Sequence, residues 1–302
     1  MKSGIVLAGI RPRPRAALQA LLVTFLWSTS WVLIKIGLGD IPALTFAGLR
    51  YGLAFLCLLP FARHLWWRQE WRALSRRDWL RLLSLGLLFY TGTQGAQFVG
   101  LAYLPAVTVN LLLSLTPLLV ALLGLVLLAE RPTWWQWGGV CLSIAGAGIY
   151  FYPAVLPAAQ QVGLLAVSLG LCTNALSAVL GRQVNRDGRL AALTVTIISM
   201  GFGALVLLAV GLAMQGLPPL TPGHWAIIGW LAVVNTAFAF TLWNHTLRTL
   251  SAVESSVING TMTIQIPILA WLCLGERLTG QAASGLVLAG VGVLIVQVGR
   301  SR

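Results

Sequence analysis

Two cationic side chains fall inside long apolar stretches of this chain, Lys35 and Arg50. A charge surrounded by hydrocarbon is expensive, so such residues are candidates for function before anything else is known. At a rise of about 1.5 Å per residue, Arg50 sits about 12 Å below the nearer end of its stretch. The acidic residues Asp40, Glu70, Asp78, Glu130, Asp187, Glu254 and Glu276 all fall at the ends of apolar runs or between them. Arg50 is therefore left to carbonyls, water, a reaching Asp40 or a substrate carboxylate. Lys35 lies near the mouth of its run and is long enough to snorkel outward. Without a deep carboxylate, His245 is the one titrating candidate inside a run, and a lone histidine there serves equally as a hydrogen-bonded helix end. Facilitated diffusion or exchange is as compatible with this inventory as proton antiport.

Neutral polar and aromatic residues align at helical spacing. Tyr90, Gln94 and Gln97 share one face at i, i+4 and i+7, with Thr93 beside them. Trp27 and Trp31 share another, flanked by Ser30. Asn110 aligns with Ser114, Asn174 with Ser177, and Ser255 with Asn259 and Thr263, while Asn235 stands alone. Such groups are costly against lipid, so each face is expected to look inward. Any one of them could serve interhelical hydrogen bonding instead. Six together favour a polar-lined cavity contacted by Trp27, Ser30, Trp31, Arg50, Tyr90, Gln94, Gln97, Asn110, Ser114, Asn174, Ser177, Asn235, Asn259 and Thr263. Aromatic faces beside amides that donate and accept suit a small amphipathic metabolite, such as a hydrophobic or aromatic amino acid. A multiply charged sugar phosphate would call for several convergent cations.

The motifs of competing chemistries are missing from the sequence. It holds no His-Glu-x-x-His, no Gly-x-Ser-x-Gly, no paired intramembrane carboxylates and no Gly-x-x-x-x-Gly-Lys-Ser/Thr, which argues against an enzyme and against a self-contained ATP-driven pump. Cys57, Cys141, Cys172 and Cys273 lie in apolar runs without ligand spacing, so neither metal nor cofactor is expected.

The elements that must position these residues follow from composition. The chain of 302 residues is 58% hydrophobic and only 9% charged. Apolar runs of about 18 residues or more read as transmembrane helices. They fall at 17–38, 42–62, 79–104, 106–128, 134–152, 161–181, 190–214, 225–247, 252–274 and 279–298. The expected fold is an all-α integral membrane protein of ten transmembrane helices. The net charge of +13 sits in short segments between these runs, a pattern of membrane topology and not of nucleic-acid binding. All of the 20 Lys and Arg residues except Lys35, Arg50 and Arg277 fall on one side of this assignment. Both termini are thus expected in the cytoplasm, in a multi-pass protein of the plasma membrane, in kind a bacterial inner membrane. Trp66, Trp67, Trp71, Trp134, Trp135 and Trp137 form an aromatic belt at the same boundary, and the arginine-rich 63–77 segment can meet anionic lipid headgroups.

Residues 101–146 recur without a gap 146 positions later, as 247–292. Leu104, Ala106 and Val107 return as Leu250, Ala252 and Val253; Glu130, Arg131 and Thr133 return as Glu276, Arg277 and Thr279. Gly139, Leu142 and Gly146 return as Gly285, Leu288 and Gly292, and Trp79 returns as Trp225. The chain divides into a basic cytoplasmic arm (1–16), a five-helix repeat (17–152), a linker (153–160), a second five-helix repeat (161–298) and a tail (299–302). Five spans are an odd number, so the second repeat enters the membrane inverted. Inverted repeats are a recurrent transporter design, with a site near the midplane and alternating access between two related packings. Pro117 and Pro267 are expected to kink each half at a similar depth. The small-residue pairs Gly139/Ser143 and Gly285/Ala289 predict close helix contact, within the fold or between the subunits of a homodimer.

The family resemblance is carried by Gln97 to Ala106, by Leu115-Thr-Pro-Leu118 with Leu128 to Arg131, and by Leu250 to Ser256 with Leu272 to Arg277. On these residues the chain resembles EamA-type members of the drug/metabolite transporter superfamily. Phe46 to Arg50 is also similar to the family pattern. The resemblance implies ten helices around a central cavity and export of amino acids or other small metabolites such as nucleobases, sugars or drug-like compounds. Because it includes Arg50 whatever the substrate, it favours a structural role for that residue over a substrate contact.

Overall fold

The computed structural model describes residues 12–62, 74–128, 133–152, 157–186, 190–247, 249–250 and 252–299. These residues are helical with no strand among them. The basic arm up to Arg11, Trp66, Trp67, Trp71, Glu130, Arg131, Arg248 and the tail lie outside the described residues.

We number the rods in chain order. α1 is Pro12–Gly37 and α2 is Ala43–Leu58, followed by a 3₁₀ turn at Leu59–Ala62. α3 runs through Arg76–Gly86, a π-helical stretch Leu87–Gln94 and Gly95–Tyr103. α4 is two pieces, Ala106–Ser114 and Thr116–Leu128. α5 is Trp134–Phe151, α6 Ala158–Arg186 and α7 Ala192–Gln215. α8 joins Pro222–Ala232, a second π-helical stretch Val233–Phe238 and Ala239–Thr246. α9 is Ala252–Gly260 and Met262–Leu274, and α10 is Gly280–Gly299. Among the described residues, seven helices are long and apolar enough to cross a membrane. Leucine and phenylalanine side chains such as Leu22, Phe25, Leu165 and Leu169 stand exposed on the outer surface, as a lipid solvent requires.

Local sequence explains the joints. Ser75 with Asp78, Thr133 with Gln136 and Thr221 with His224 form capping boxes that satisfy the first backbone N–H groups of α3, α5 and α8. Thr279, the repeat partner of Thr133, accepts from the Ala282 N–H at the start of α10. Pro117 removes the N–H that would reach the Leu113 carbonyl. The Thr116 hydroxyl takes that carbonyl at 2.6 Å, and the helix breaks at Leu115. In the second half the break is at Thr261, whose hydroxyl donates to the Ile258 carbonyl at 2.6 Å. Pro267 sits inside an unbroken piece of α9. The breaks in the helical ladder coincide in repeat register at 115 and 261, and a threonine hydroxyl marks each one.

The π-helical stretches start at Leu87 and Val233, also 146 residues apart. Each has a buried threonine whose hydroxyl donates five residues back. Thr93 reaches the Leu88 carbonyl at 2.9 Å and Thr236 the Leu231 carbonyl at 2.8 Å. π-Turns are rare and concentrate at functional sites.

α5 and α10 pack along their length through small residues. A Cβ on Gly285 would stand 2.6 Å from the Tyr150 nitrogen, and one on Gly292 2.6 Å from the Gly139 carbonyl oxygen. Ser143 donates to the Gly139 carbonyl at 2.9 Å and to the Ala289 carbonyl at 3.3 Å. The small-residue pairs are thus spent inside the chain, joining the two halves, and leave those faces unavailable to a second copy.

Candidate functional site

The site is built on α2, α3 and α8. Arg50 is only 4% exposed, and its Nε donates to the Thr236 hydroxyl at 3.2 Å. Its guanidinium lies 5.0 Å over the Tyr51 ring and 6.0 Å over the Phe98 ring. No carboxylate meets it among the described residues. Asp40 does not reach it; that carboxylate stands 3.2 Å from His224 instead. Guanidinium carries five N–H donors, and aromatic faces satisfy only part of a desolvated cation. Lys35 donates to the Leu101 and Leu104 carbonyls at 2.6 and 2.7 Å, closing the end of α3 at the α3–α4 turn.

Tyr51 ties the arginine to α3. Its hydroxyl donates to Gln94 Oε1 at 2.6 Å, and its ring meets Tyr90 at 5.5 Å and 65°. Arg50, Tyr90 and Gln94 are thereby brought together. Gln97 is buried on the same helix. The π stretch ends at Gln94, so it is Tyr90 and Gln94 that depart from the 3.6-residue spacing that aligned them in the sequence, while Gln97 lies in the α-helical piece that follows.

α1 lies against the other side of α8. Trp27 meets Phe240 and Trp243 at 5.2 and 5.3 Å between ring centroids. The Asn235 amide donates to the Leu26 carbonyl and, at 3.3 Å, to the Thr29 hydroxyl. Ser30 donates to the Trp27 carbonyl at 2.6 Å. Trp31 is 7% exposed and belongs to the same apolar core as Tyr51 and Tyr90. Three buried polar atoms have no hydrogen-bond partner among the described residues: Trp27 Nε1, Asn110 Nδ2 and Asn235 Oδ1. All three belong to residues that the sequence marked. An orphaned buried donor or acceptor costs about 1–3 kcal/mol, so each is a position open to pairing with a water or a ligand group.

The remaining candidates are not gathered here. Asn174 donates to Thr116 at 3.0 Å, and Ser177 and Ser114 bond to carbonyls of their own helices, Asn174 and Leu111. Asn259 is exposed. Thr263 packs against Gly290 of α10, with a glycine Cβ there falling 3.4 Å from its methyl group.

Sequence reasoning missed a polar network between α1 and α9. Ser28 donates to Gln265 Oε1 at 2.9 Å, and Gln265 Nε2 donates to Thr261 and Thr24 at 3.0 and 3.3 Å. The signal was available in Thr24 and Ser28, four residues apart, and in an amide one turn beyond Thr261. Thr236, the hydroxyl beneath Arg50, was missed as well, because nothing local distinguishes it from a helix-filling threonine.

The EamA-like transporter family model matches residues 14–152 and again 161–298. The chain belongs to the EamA-like transporter family. It is therefore a multi-pass membrane transporter and not a member of an enzyme family. It is similar to the uncharacterized transporter YcxC of Bacillus subtilis (strain 168), 26% identical over 290 residues covering 92% of this chain and 91% of that one. A probable amino-acid metabolite efflux pump of Salmonella typhimurium is 26% identical over 290 residues, 91% of this chain and 92% of its own. The S-adenosylmethionine/S-adenosylhomocysteine transporter of Chlamydia muridarum is 24% identical over 280 residues, 89% of this chain and 87% of its own. A solved crystal structure superposes with a TM-score of 0.64 over 96% of this chain and 100% of that chain, at 18% identity, which shows a shared fold.

Proposed function

We propose that this transporter exports small amphipathic metabolites bearing an amino-acid carboxylate, hydrophobic or aromatic amino acids foremost. It does so by alternating access between two inverted five-helix repeats, ten spans in all, with both termini cytoplasmic. The observation that carries the reading is Arg50: a buried guanidinium with one hydroxyl partner, two aromatic faces and no carboxylate among the described residues. A substrate carboxylate would complete it with a charge-assisted pair. Around that anchor, Trp27, Trp31 and Tyr90 offer apolar rings, while Gln94, Gln97, Asn110 and Ser30 offer donors and acceptors.

Two relatives support the substrate class by chemistry. The names of the Salmonella and Chlamydia proteins both point to compounds derived from an amino acid. The repeat-matched breaks at Leu115 and Thr261 and π stretches at Leu87 and Val233 support two related packings, the precondition for alternating access. Counterflow of radiolabelled phenylalanine or leucine into proteoliposomes loaded with unlabelled amino acid is the direct test. Accumulation that depends on the internal amino acid is expected; exchange of no carboxylated amphipathic compound in a broad panel would refute the reading.

A further inference from the structure

A concavity that Arg50 does not line lies on the flank of α2, α3, α7 and the start of α8. Its volume is about 910 Å³. Leu49, Leu53 and Leu56 of α2 form one wall and Ile198, Leu205 and Leu208 of α7 the other. Along it the hydrogen-bonding side chains are Thr194 and the indoles of Trp79 and Trp225. A polar metabolite finds nothing to bind there. From Thr194 to Leu208 the groove follows α7 for about 21 Å, against a hydrocarbon half-thickness of about 15 Å. Trp79 and Trp225 line the groove from the first turns of α3 and α8. These are repeat partners, and amphipathic indoles prefer the interfaces.

Charge singles out one end. Arg76 precedes Trp79 by three residues and Leu83 by seven, so the three share a face of α3, with Arg76 one turn beyond the indole. Arg76 and Arg77 are exposed. An apolar slot that ends one turn short of the exposed Arg76 is complementary to an anionic phospholipid: acyl chain in the slot, phosphate on the arginine. We infer that this groove is a binding site for one anionic phospholipid, independent of the substrate site. The depth comes from Gly52, whose missing side chain leaves open space: a Cβ there meets nothing within 4 Å.

That open space supplies the test. Purified protein in detergent is titrated with phosphatidylglycerol or phosphatidylethanolamine, and bound lipid is counted by native mass spectrometry. Wild type should hold one phosphatidylglycerol in preference to phosphatidylethanolamine. Gly52→Phe, which fills the slot at a position where helix propensity improves, should lose that lipid, whereas Gly52→Ala should keep it. Leu205→Trp narrows the slot from the opposite wall and gives an independent reading if Gly52→Phe is poorly folded. Arg76→Gln should lower the preference for the anionic lipid by about five-fold, leaving acyl binding intact, whereas Arg77→Gln, two residues from Trp79 and on the opposite face of α3, should leave the preference unchanged. Retention of phosphatidylglycerol by both slot-filling variants would overturn the site, and an unchanged preference in Arg76→Gln would overturn the headgroup assignment. A dimer in wild type that both filling variants convert to monomer, with no lipid bound, would show instead that a second copy covers the groove.

Discussion

Glu276 of the second repeat caps the first turn of α4 in the first. Its Oε1 accepts from the Ala106 N–H at 2.7 Å and its Oε2 from the Val107 N–H at 3.2 Å. Gly275 makes this reach available. It closes α9 with φ of 68°, a left-handed cap that glycine adopts without Cβ strain, and turns the chain back toward α4. On the other side of the same α3–α4 turn, Lys35 holds the carbonyls of Leu101 and Leu104. One turn thus has its donors met by an anion and its acceptors by a cation, each from a different part of the chain.

The cap is a charge-assisted bond at a helix N-terminus, and its loss should be measurable as stability. Glu276→Ala is expected to lower unfolding stability in detergent by about 1–3 kcal/mol, because it leaves two N–H donors in a partly buried turn. Glu276→Gln keeps one acceptor and should lose less. Lys35→Met should be destabilising by a comparable amount. A thermal shift for Glu276→Ala no different from that of an exposed alanine substitution would show that the cap contributes nothing.

The π stretches are held by one hydroxyl each, but Thr236 has a second duty as the acceptor for Arg50. Thr236→Val therefore removes a second bond from the Leu231 carbonyl and strands the Arg50 Nε, whereas Thr93→Val removes a second bond from the Leu88 carbonyl and a contact with Thr173 at 3.2 Å. Each lost neutral bond is worth about 0.5–1.5 kcal/mol and a bond to a charged group about 1.5–3. Thr236→Val should be the more harmful of the two, in both stability and transport, with Thr236→Ser restoring most of the loss. Equal effects of the two valine variants would mean that Arg50 does not depend on Thr236.

The helical rods were legible because apolar runs bounded by Pro, Gly and charged residues dictate them. α5 at 134–151 and α7 at 192–215 lie within two residues of the sequence reading. The interruptions were not legible. A π turn needs only one extra residue in an otherwise 3.6-periodic pattern, and Leu87 to Gln94 carries no local mark of it. The break at Thr261 was hidden because Pro267 drew attention to itself, while the residue that opens the ladder was an ordinary threonine. The site was half visible. Intramembrane charge singled out Arg50 at once, but its partners Tyr51, Phe98 and Thr236 are set by how α2, α3 and α8 cross, which no local spacing records. Asn259, at the matching helical phase, is exposed on α9. Trp31 is buried in the core, so Trp31→Ala would leave a cavity costing about 3–5 kcal/mol and would report on folding as much as on transport.

Topology has its own test. Single cysteines at Arg131 and Arg277, in a background freed of Cys57, Cys141, Cys172 and Cys273, should react with an impermeant maleimide from opposite sides of the membrane. Arg277 is exposed, so its label is not blocked by burial. The cytoplasmic assignment follows from the charge bias and predicts labelling of position 277, and not of 131, in intact cells. Labelling of both from outside would contradict the inverted repeat.

Arg50 decides between a scaffold and a substrate contact. Among the described residues its one hydrogen-bond partner is neutral, Thr236, and its contacts with Tyr51 and Phe98 are to ring faces. Removing a cation so weakly compensated relieves a desolvation cost, so Arg50→Gln should unfold within a few degrees of wild type. Transport is where the loss should appear. A charge-assisted pair with a substrate carboxylate is worth about 1.5–3 kcal/mol, or about 10- to 150-fold in apparent affinity for the amino acid. The corresponding amine, which lacks the carboxylate, should be handled equally by wild type and variant. Arg50→Lys keeps the charge but not the planar fork, and should recover only part of the affinity. Tyr51→Phe, which frees Gln94, should cost less than Arg50→Gln and affect both compounds alike. If Arg50→Gln is instead grossly unstable whichever compound is offered, the residue is part of the scaffold; if it is stable and binds both compounds as wild type does, the carboxylate is held elsewhere.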